Sequence, residues 1–309
     1  MIKRIIMIVI STIFITTANA TEIKMVVSTP VGNGVDIIGR MLATEMSKRL
    51  DLTVIVENKP GGGGTIAAQD VVNNEEKILF TNAAIISAPN VIKSVGYNVK
   101  KDIIPIAIIN ENPEVLLTKA GRFKDLPDFL KQSNNSTLPF KAGIIGFGSG
   151  SYFITKDFII RSKIKVDDIP YNSLNSAILD LIAGRIDFIM ATIPTTYALI
   201  VDGKLDALAQ MAPSRIIKEL SIPSIKEYGF DSYINWWNGL FVSSKMTAQN
   251  IKIFKEVFQK IKQDPQFIIA MHKILSDVSP DLSDAELKQF IHDEIELYSK
   301  LSKYINDRR

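Results

Sequence analysis

The repeated order of short β-rich runs, glycine-containing loops and amphipathic helical segments is what most limits the folds open to this chain. A β-rich run at residues 24–29 leads through a glycine loop into residues 36–50, whose apolar side chains recur at helical spacing. A second run at residues 53–57 leads through four consecutive glycines into another helical segment at residues 65–72. Strands that alternate with helices in this way predict an α/β fold in which helices flank a mainly parallel sheet.

The alternation starts again after Lys119, which predicts a second α/β unit. We expect a strand at residues 140–145, a glycine and serine loop at residues 146–151, and further helices and strands beyond it. Helical stripes at residues 248–261 and 284–305 are expected to pack back on the first unit. The chain has 309 residues, which suits about two domains.

The charge balance and the few metal-binding side chains exclude several classes of function. The 36 basic and 33 acidic side chains give a net charge of +3, too weak a field to hold nucleic acid, so we predict no nucleic-acid partner. The sequence contains no cysteine, which excludes disulfides, thiolate metal sites and iron–sulfur clusters. Because His272 and His292 are its only histidines, we predict no metal site, no cofactor and no catalytic residue.

Residues 1–20 have the pattern of a secretory signal sequence. Two basic residues precede an apolar run at residues 5–15, and Ala-Asn-Ala at residues 18–20 is the small-x-small pattern that signal peptidase recognises. We predict cleavage near Ala20–Thr21 and a protein that is free in the periplasm, since no cysteine is available for lipid modification. The alternative is a membrane anchor, but the apolar run is shorter than the roughly 20 residues that span a bilayer.

Glycine loops that follow strands are the candidate ligand-binding segments. In open α/β sheets, ligands bind at the carboxyl ends of strands, next to helix N-termini whose free N–H groups hold anions. Residues 32–34 open the first helix, and residues 146–151 occupy the matching place in the second unit. Neither loop has the spacing of a dinucleotide-binding motif, and the four glycines lack the lysine of a P-loop. These loops therefore fit an anion such as a carboxylate, although tight turns that need glycine only for steric reasons remain an alternative.

Several side chains have a structural interpretation beside a functional one. Asp36 offers a carboxylate base, but it lies in the first turn of a helix, where a carboxylate caps free N–H groups. The two histidines fit ordinary core or surface positions. Trp236 and Trp237 fit packing in the core or between lobes better than a platform for stacking.

Seven short motifs occur in a characteristic order along the chain. They are P-V-G-N-G-V-D at 30–36, V-E-N-K-P-G-G-G-G at 56–64, Y-N with K-D-I-I-P within 97–105, G-F-G-S at 146–149, I-P-Y at 169–171, D-L with a later Gly and Asp within 180–187, and W-N-G-L at 237–240. In this order and spacing they resemble the substrate-binding proteins of tripartite tricarboxylate transporters, the TctC or Bug family of periplasmic receptors. The resemblance extends over nearly the whole chain after residue 20.

The resemblance implies a two-lobed periplasmic-binding-protein fold of the type II-like class, with a ligand cleft between two α/β lobes. The first lobe would comprise residues 21–119 and 242–309, and the second lobe residues 120–241. It also implies a receptor that binds a small organic acid, such as a dicarboxylate, a tricarboxylate or an acidic amino acid. The receptor would present this acid to the integral membrane subunits of a tripartite transporter, and we expect it to be a monomer.

Transferred by position, the family's ligand-binding loops fall on both lobes. The predicted ligand contacts are Val31, Gly32, Asn33, Gly34, Asp36, Thr81, Asn82, Ala83, Ser87, Gly148, Ser149, Gly150, Ser151, Tyr171, Asn172 and Thr192. The family has a glycine where this chain has Asn33. We expect Asn33 to tolerate left-handed backbone angles there and its side chain to enter the cleft.

Two other functions stay open at this stage. A periplasmic hydrolase or transferase would use Ser149 or Ser151 as its nucleophile, which requires a general base, and neither histidine lies nearby in the sequence. A partner-binding protein on the same fold would bind no small ligand, and its cleft would be filled by side chains.

Overall fold

The computed structural model describes residues 22–217, 219–231, 234 and 236–307. Residues 1–20, for which we predict a signal sequence, lie outside the described residues. Within the described part, the chain forms two five-stranded sheets. Their strands are β1 (Glu22–Val27), β2 (Thr53–Asn58), β3 (Lys77–Asn82), β4 (Ile103–Asn112), β5 (Glu114–Lys119), β6 (Phe140–Ile145), β7 (Val166–Tyr171), β8 (Phe188–Thr192), β9 (Leu205–Gln210) and β10 (Trp236–Ser243).

The first sheet has the strand order β2-β1-β3-β10-β4. Strand β1 pairs in parallel with β2 and β3, whereas β10 runs antiparallel to both β3 and β4. Because helices cover both faces of its centre, β1 and β3 are nearly continuous apolar runs, and the side chains of Met25, Val27 and Phe80 are fully buried.

The second sheet repeats this arrangement with the order β7-β6-β8-β5-β9. Strand β6 is parallel to β7 and β8, and β5 is antiparallel to β8 and β9. In each sheet, therefore, the fourth strand in spatial order runs against its neighbours. The chain passes from the first sheet to the second at Pro113, between β4 and β5, and returns between β9 and β10.

Both lobe boundaries lie at other residues than we expected. We placed residues 114–119 in the first lobe and residues 236–241 in the second. Strand β5 instead belongs to the second sheet, and β10 fills the place between β3 and β4 in the first. The reason is that strand partners are chosen by pairing between distant segments, and a local sequence pattern contains no information on that choice.

Helices flank both sheets. In the described ranges they are α1 (Gly34–Leu50), α2 (Thr65–Val72), α3 (Ala84–Ser87), α4 (Leu126–Asn135), α5 (Gly150–Ser162), α6 (Leu174–Ile182), α7 (Ile193–Val201), α8 (Ala248–Lys262), α9 (Pro265–His272) and α10 (Asp284–Asn306). Side chains cap the N-termini of several of them, namely Asn33 for α1, Ser149 for α5 and Ser173 for α6. Ser283 and Glu286 form a reciprocal capping box at the start of α10.

The last long helix packs against both lobes. We expected the late helices to pack back on the first unit, and α8 does so through Phe258. Helix α10, however, contacts Trp237 of the first sheet through Phe290 and contacts Phe153 of α5 through Tyr298. No helix within the described ranges combines the length and the apolar character needed to cross a membrane.

Candidate ligand-binding site

A cavity of about 420 Å³ lies between the two lobes. The carboxyl ends of the parallel strands β1, β2 and β3 face it from one side, and those of β6, β7 and β8 face it from the other, as is usual for ligand sites in open α/β sheets. Strands β5 and β10 run antiparallel to their neighbours, so their first residues, Glu114 and Trp236, line the cavity. The lining residues are drawn from residues 28–33, 60–64, 82–84, 144–151, 170–174 and 190–192, together with Ile92, Glu114 and Trp236.

Helix N-termini supply the positive potential of this cavity. Helices α1, α5, α6 and α7 each begin directly after a lining residue, namely Asn33, Ser149, Ser173 and Thr192. The described residues that line the cavity include no Lys, Arg or His. Backbone dipoles and N–H groups, rather than a salt bridge, are therefore what an anion would meet here.

The first turn of α5 offers the clearest hydrogen-bond donors. The hydroxyl oxygen of Ser149 accepts from the N–H of Tyr152 at 3.2 Å and thereby caps the helix. In the described part of the protein, the N–H groups of Gly150 and Ser151 have no acceptor. Two adjacent free N–H groups at a helix N-terminus are suited to a carboxylate.

Asp36 holds the loop that precedes α1. Its carboxylate accepts from the N–H of Gly32 at 2.8 Å, from Nδ2 of Asn58 at 2.8 Å and from Nε of Arg40 at 3.1 Å. Burial alone would raise the pKa of Asp36, but hydrogen bonds from Arg40, Gly32 and Asn58 together keep this pKa below its usual value. Asp36 is thus a structural anchor, as its place in the first helical turn suggests.

Asp36→Ala is expected to lower the free energy of unfolding by about 2–3 kcal/mol, because three donors lose their acceptor at a buried position. Urea denaturation measures this loss, with the exposed Asp167→Ala as the control. Since the pKa of Asp36 is lowered in the folded state, its stabilisation is present above the unfolded value of 3.8 and is lost as the pH falls below it. The difference in the free energy of unfolding between wild type and Asp36→Ala should therefore become smaller at acidic pH. Equal stability of the two alanine variants near neutral pH would contradict this role.

The N–H groups of the first glycine loop are not free, contrary to our prediction. The N–H of Gly34 donates to Oγ1 of Thr195 at 2.9 Å, and the N–H of Val35 donates to Oδ1 of Asn33 at 3.1 Å. Asn33 also has extended backbone angles, with φ −76° and ψ 156°, and it is Gly32 that has a positive φ of 81°. A residue that caps a helix with its side chain needs the extended conformation, which is why Asn33 is not left-handed.

The lobes contact each other at several points beside the cavity. The hydrogen bond from Gly34 to Thr195 crosses between them, and so does one from the hydroxyl of Ser87 to the carbonyl oxygen of Gly148 at 2.6 Å. A Cβ atom on Gly63 would lie 2.8 Å from the carbonyl oxygen of Phe147, so this approach requires glycine. The structure is therefore a closed arrangement of the two lobes.

One acidic side chain lies in the cavity wall. Glu114 is the first residue of β5 and is only 2% exposed. Its Oε1 accepts a hydrogen bond from the hydroxyl of Ser151, whereas its Oε2 is buried and has no partner in the described structure. Burial raises the pKa of Glu114 to about 8, although the hydrogen bond from Ser151 acts to lower it. The carboxyl group is therefore mainly protonated at neutral pH.

The predicted site residues fall into two groups. Those that line the cavity are Asn33, Asn82, Ser149, Ser151, Tyr171, Asn172 and Thr192. Those that do not line it are Val31, Gly32, Gly34, Asp36, Thr81, Ala83, Ser87, Gly148 and Gly150. Most residues of the second group support the lining residues without contacting the cavity, because they hold loops, bridge the lobes or pack in the core. The side chain of Val31 is instead exposed to solvent.

Several lining residues were missed by the sequence analysis. Glu114 was missed although a charged residue at the start of the apolar run Val115–Leu117 is a usable signal of a special environment. The four glycines at residues 61–64 were recognised as a glycine loop and as part of a family motif, but were not among the predicted ligand contacts. Trp236, which we interpreted as packing in the core or between lobes, lines the cavity, and so does Thr29, which nothing in the local pattern distinguishes from an ordinary strand-end residue.

The histidines lie outside the cavity lining. Nδ1 of His272 is 2.9 Å from the carboxylate of Asp277 at an exposed position, and His292 is exposed on α10. Across the described ranges, no cluster of His, Asp and Glu side chains has the geometry of a metal site.

Known proteins resemble this chain in sequence and in fold. BugT from Bordetella pertussis (strain Tohama I) is 25% identical over 221 residues, which cover 70% of this chain and 68% of BugT. The structure of MatC from Rhodopseudomonas palustris with bound malate superposes with a TM-score of 0.84 at 22% identity, covering 91% of this chain and 98% of MatC. Rpa4515 of R. palustris with adipate superposes with a TM-score of 0.86 at 19% identity, covering 92% of this chain and 97% of that protein.

These structural matches confirm the predicted two-lobed α/β fold of the periplasmic binding proteins. The sequence profile described as "Tripartite tricarboxylate transporter family receptor", TctC, matches residues 38–306. This match spans most of the chain and confirms the resemblance seen in the motifs. The protein therefore belongs to the TctC family of periplasmic solute-binding receptors.

Proposed function

We propose that this protein is an extracytoplasmic receptor that closes its two lobes around a small carboxylate and delivers it to the integral membrane subunits of a tripartite transporter. The observation that carries the proposal is the cavity between the lobes, which helix N-termini surround and whose described lining includes no basic side chain. A buried anion must be hydrogen-bonded, and N–H groups at helix N-termini provide such bonds without a counter-charge. Export would depend on the leader at residues 1–20, with cleavage near Ala20–Thr21.

The size of the cavity and the ligands of similar proteins support a small organic acid. A volume of about 420 Å³ lies in the lower part of the range of small-molecule sites. Two structures of similar proteins contain malate and adipate, both dicarboxylates: MatC with malate and Rpa4515 with adipate. Closure around the ligand would allow the transporter to distinguish the loaded receptor, because only the closed form presents both lobes in one fixed arrangement.

A serine hydrolase is the weaker candidate, although one contact favours it. Ser151 donates to the carboxyl group of Glu114, which is the arrangement of a nucleophile beside a base. Because burial raises the pKa of Glu114 to about 8, this group holds its proton at neutral pH and is a poor acceptor for another. Ser149 already donates to the carbonyl oxygen of Ile145 at 2.9 Å. We therefore favour the receptor.

A thermal-shift screen of the purified protein tests the receptor function. At about 100-fold excess over its dissociation constant, a bound acid should raise the melting temperature by about 5–10 °C. The panel contains small dicarboxylates, citrate and acidic amino acids, each beside its uncharged amide as a matched control. If no acid stabilises the protein, or if the amides stabilise it equally, the proposed ligand class is wrong.

A further inference from the structure

Glu114 lies where the chain crosses from one lobe to the other. Pro113 separates the last residue of β4 in the first sheet from Glu114, which begins β5 in the second. Strand register places Glu114 beside Thr192, another residue of the cavity lining. The side chain is therefore fixed at the base of the cavity by two strands and by its contact with Ser151 of α5.

One oxygen of Glu114 has an unused hydrogen-bonding capacity. Among the described residues that line the cavity, the buried side-chain atoms without a partner are Oε2 of Glu114 in the second lobe and Oγ1 of Thr29 in the first. A buried polar atom without a partner costs free energy unless something else satisfies it. Both atoms belong to residues that line the same cavity, from opposite lobes, which points to a ligand that satisfies them.

The surroundings of Glu114 favour its neutral form. Among the described residues, its side-chain hydrogen-bond partner is the uncharged hydroxyl of Ser151. Helix α10 brings Tyr298 close enough to interact with a charge on Glu114, and its phenol provides no positive charge. The paired strand β8 has the sequence F-I-M-A-T, and the first turn of α5 has G-S-Y, so both are uncharged there. An anionic ligand in the same low-dielectric space would disfavour a second negative charge further.

We propose that Glu114 is a specificity-determining residue that, as a neutral carboxylic acid, donates a hydrogen bond from Oε2 to a carboxylate of the bound ligand. This inference rests on the proposed function. The proton is on Oε2 because Oε1 accepts from Ser151. The carboxyl group then adds a donor beside the N–H group of Ser151, which also lines the cavity, and it selects ligands whose group at this point accepts hydrogen bonds.

The inference predicts a pH dependence with a definite sign. Binding of a fully ionised acid requires the protonated form of Glu114, and burial raises the pKa of this group to about 8. Affinity should be constant from about pH 6 to about pH 8 and should fall by up to about tenfold per pH unit above that. A ligand that instead donated a hydrogen bond or a positive charge to Glu114 would bind more tightly as the pH rises.

Calorimetry with adipate and malate as probes tests this on the purified protein. Adipate is informative because, when ionised, its polar groups only accept hydrogen bonds, whereas malate also carries a hydroxyl donor. Glu114→Leu should weaken adipate binding by about 10- to 100-fold near pH 7. Glu114→Gln, whose amide still donates a hydrogen bond, should lose no more than about fivefold in affinity for adipate, and this affinity should not fall above pH 8. Glu256→Gln, an exposed change on α8, is the control and should follow the wild-type pH profile.

Three outcomes would overturn the inference. In the first, wild type binds adipate but the Gln and Leu variants lose equal affinity. In the second, affinity does not fall above pH 8. In the third, the difference infrared spectrum of wild type and Glu114→Gln near pH 7 lacks the band of a protonated carboxyl group, which requires no ligand. If wild type binds neither probe at any pH, the proposed binding of dicarboxylates is wrong, and so is the proposed contact with Glu114. This result can be told apart from the three outcomes above, because in the first two of them wild type binds adipate and the third requires no ligand.

Discussion

Glu294→Ala is expected to lower the free energy of unfolding by about 3–5 kcal/mol. The indole Nε1 of Trp237 donates to Oε2 of Glu294 at 2.6 Å, and both side chains are buried between the first sheet and α10. Alanine leaves that N–H without an acceptor and creates a void beside the ring. Glu294→Gln keeps an acceptor oxygen at the same place, so near pH 5 it should lose less than about 1 kcal/mol.

The same residue should make stability depend on pH. Burial raises the pKa of Glu294 to about 7, from a usual value of 4.5, although the hydrogen bond from Trp237 acts to lower it. Between these values the folded protein retains a proton that the unfolded chain releases, so this contribution to stability falls as the pH rises and is fully lost above about pH 7. The full loss amounts to about 3–4 kcal/mol, since the pKa rises from 4.5 to about 7.

Urea denaturation at about pH 5 and about pH 8 checks both expectations, with the exposed Glu256→Gln as control. Glu294→Gln should depend less on pH than wild type and should be the more stable of the two at the higher pH. Identical pH dependence of wild type and Glu294→Gln would show that this carboxyl group does not titrate with a raised pKa. If alanine destabilises no more than glutamine near pH 5, the hydrogen bond to Trp237 contributes nothing measurable.

Gly148→Val is expected to weaken ligand binding by about 10- to 100-fold because it prevents closure of the lobes. The new Cβ would lie 2.8 Å from Cγ2 of Val91 and 3.2 Å from Cα of Ala88, both on the opposite lobe. The lobes would have to separate there, and the hydrogen bond from Ser87 to the carbonyl oxygen of Gly148 would be lost. A cost of about 1–3 kcal/mol at this contact corresponds to the expected loss of affinity.

Gly229→Val is a matched control for this substitution. Gly229 has φ 82° against 84° for Gly148, so both valines have the same backbone strain, but a Cβ on Gly229 meets nothing within 4 Å. Calorimetry with adipate measures affinity, and small-angle scattering measures the radius of gyration with ligand present. The Gly148 variant should bind weakly and stay more extended. Equal affinity of the two variants would exclude this contact from closure.

Local sequence rules predicted those parts of the structure that depend on neighbouring residues. Helix α2 and strand β6 begin and end where the sequence pattern places them, and α10 begins at Asp284, as predicted from its helical stripe. The motif at residues 169–171 forms the end of the edge strand β7. Pro170 is accommodated there because an edge strand needs no donor on its outer side.

The candidate site was less predictable, because its geometry depends on contacts between distant segments. The glycine motif at residues 30–36 marks the right loop, but its N–H groups are taken up by Asp36 and by Thr195, which is 161 residues from Gly34. The position of Glu114 in the wall depends on β5 joining the second sheet. No periodicity in the chain encodes that choice.

Because β10 comes late in the chain but lies inside the first sheet, the second sheet has all of its strands before the first sheet does. All strands of the second sheet come from the continuous stretch of residues 114–210, whereas the first sheet lacks the strand between β3 and β4 until residues 236–243 have been made. During synthesis or translocation, the second lobe can therefore complete its sheet while β3 still has an unpaired edge and β4 still lacks β10, the strand that joins it to the sheet. An unpaired strand edge of this kind is a template for aggregation, so the interval before β10 arrives is when this chain most needs a chaperone.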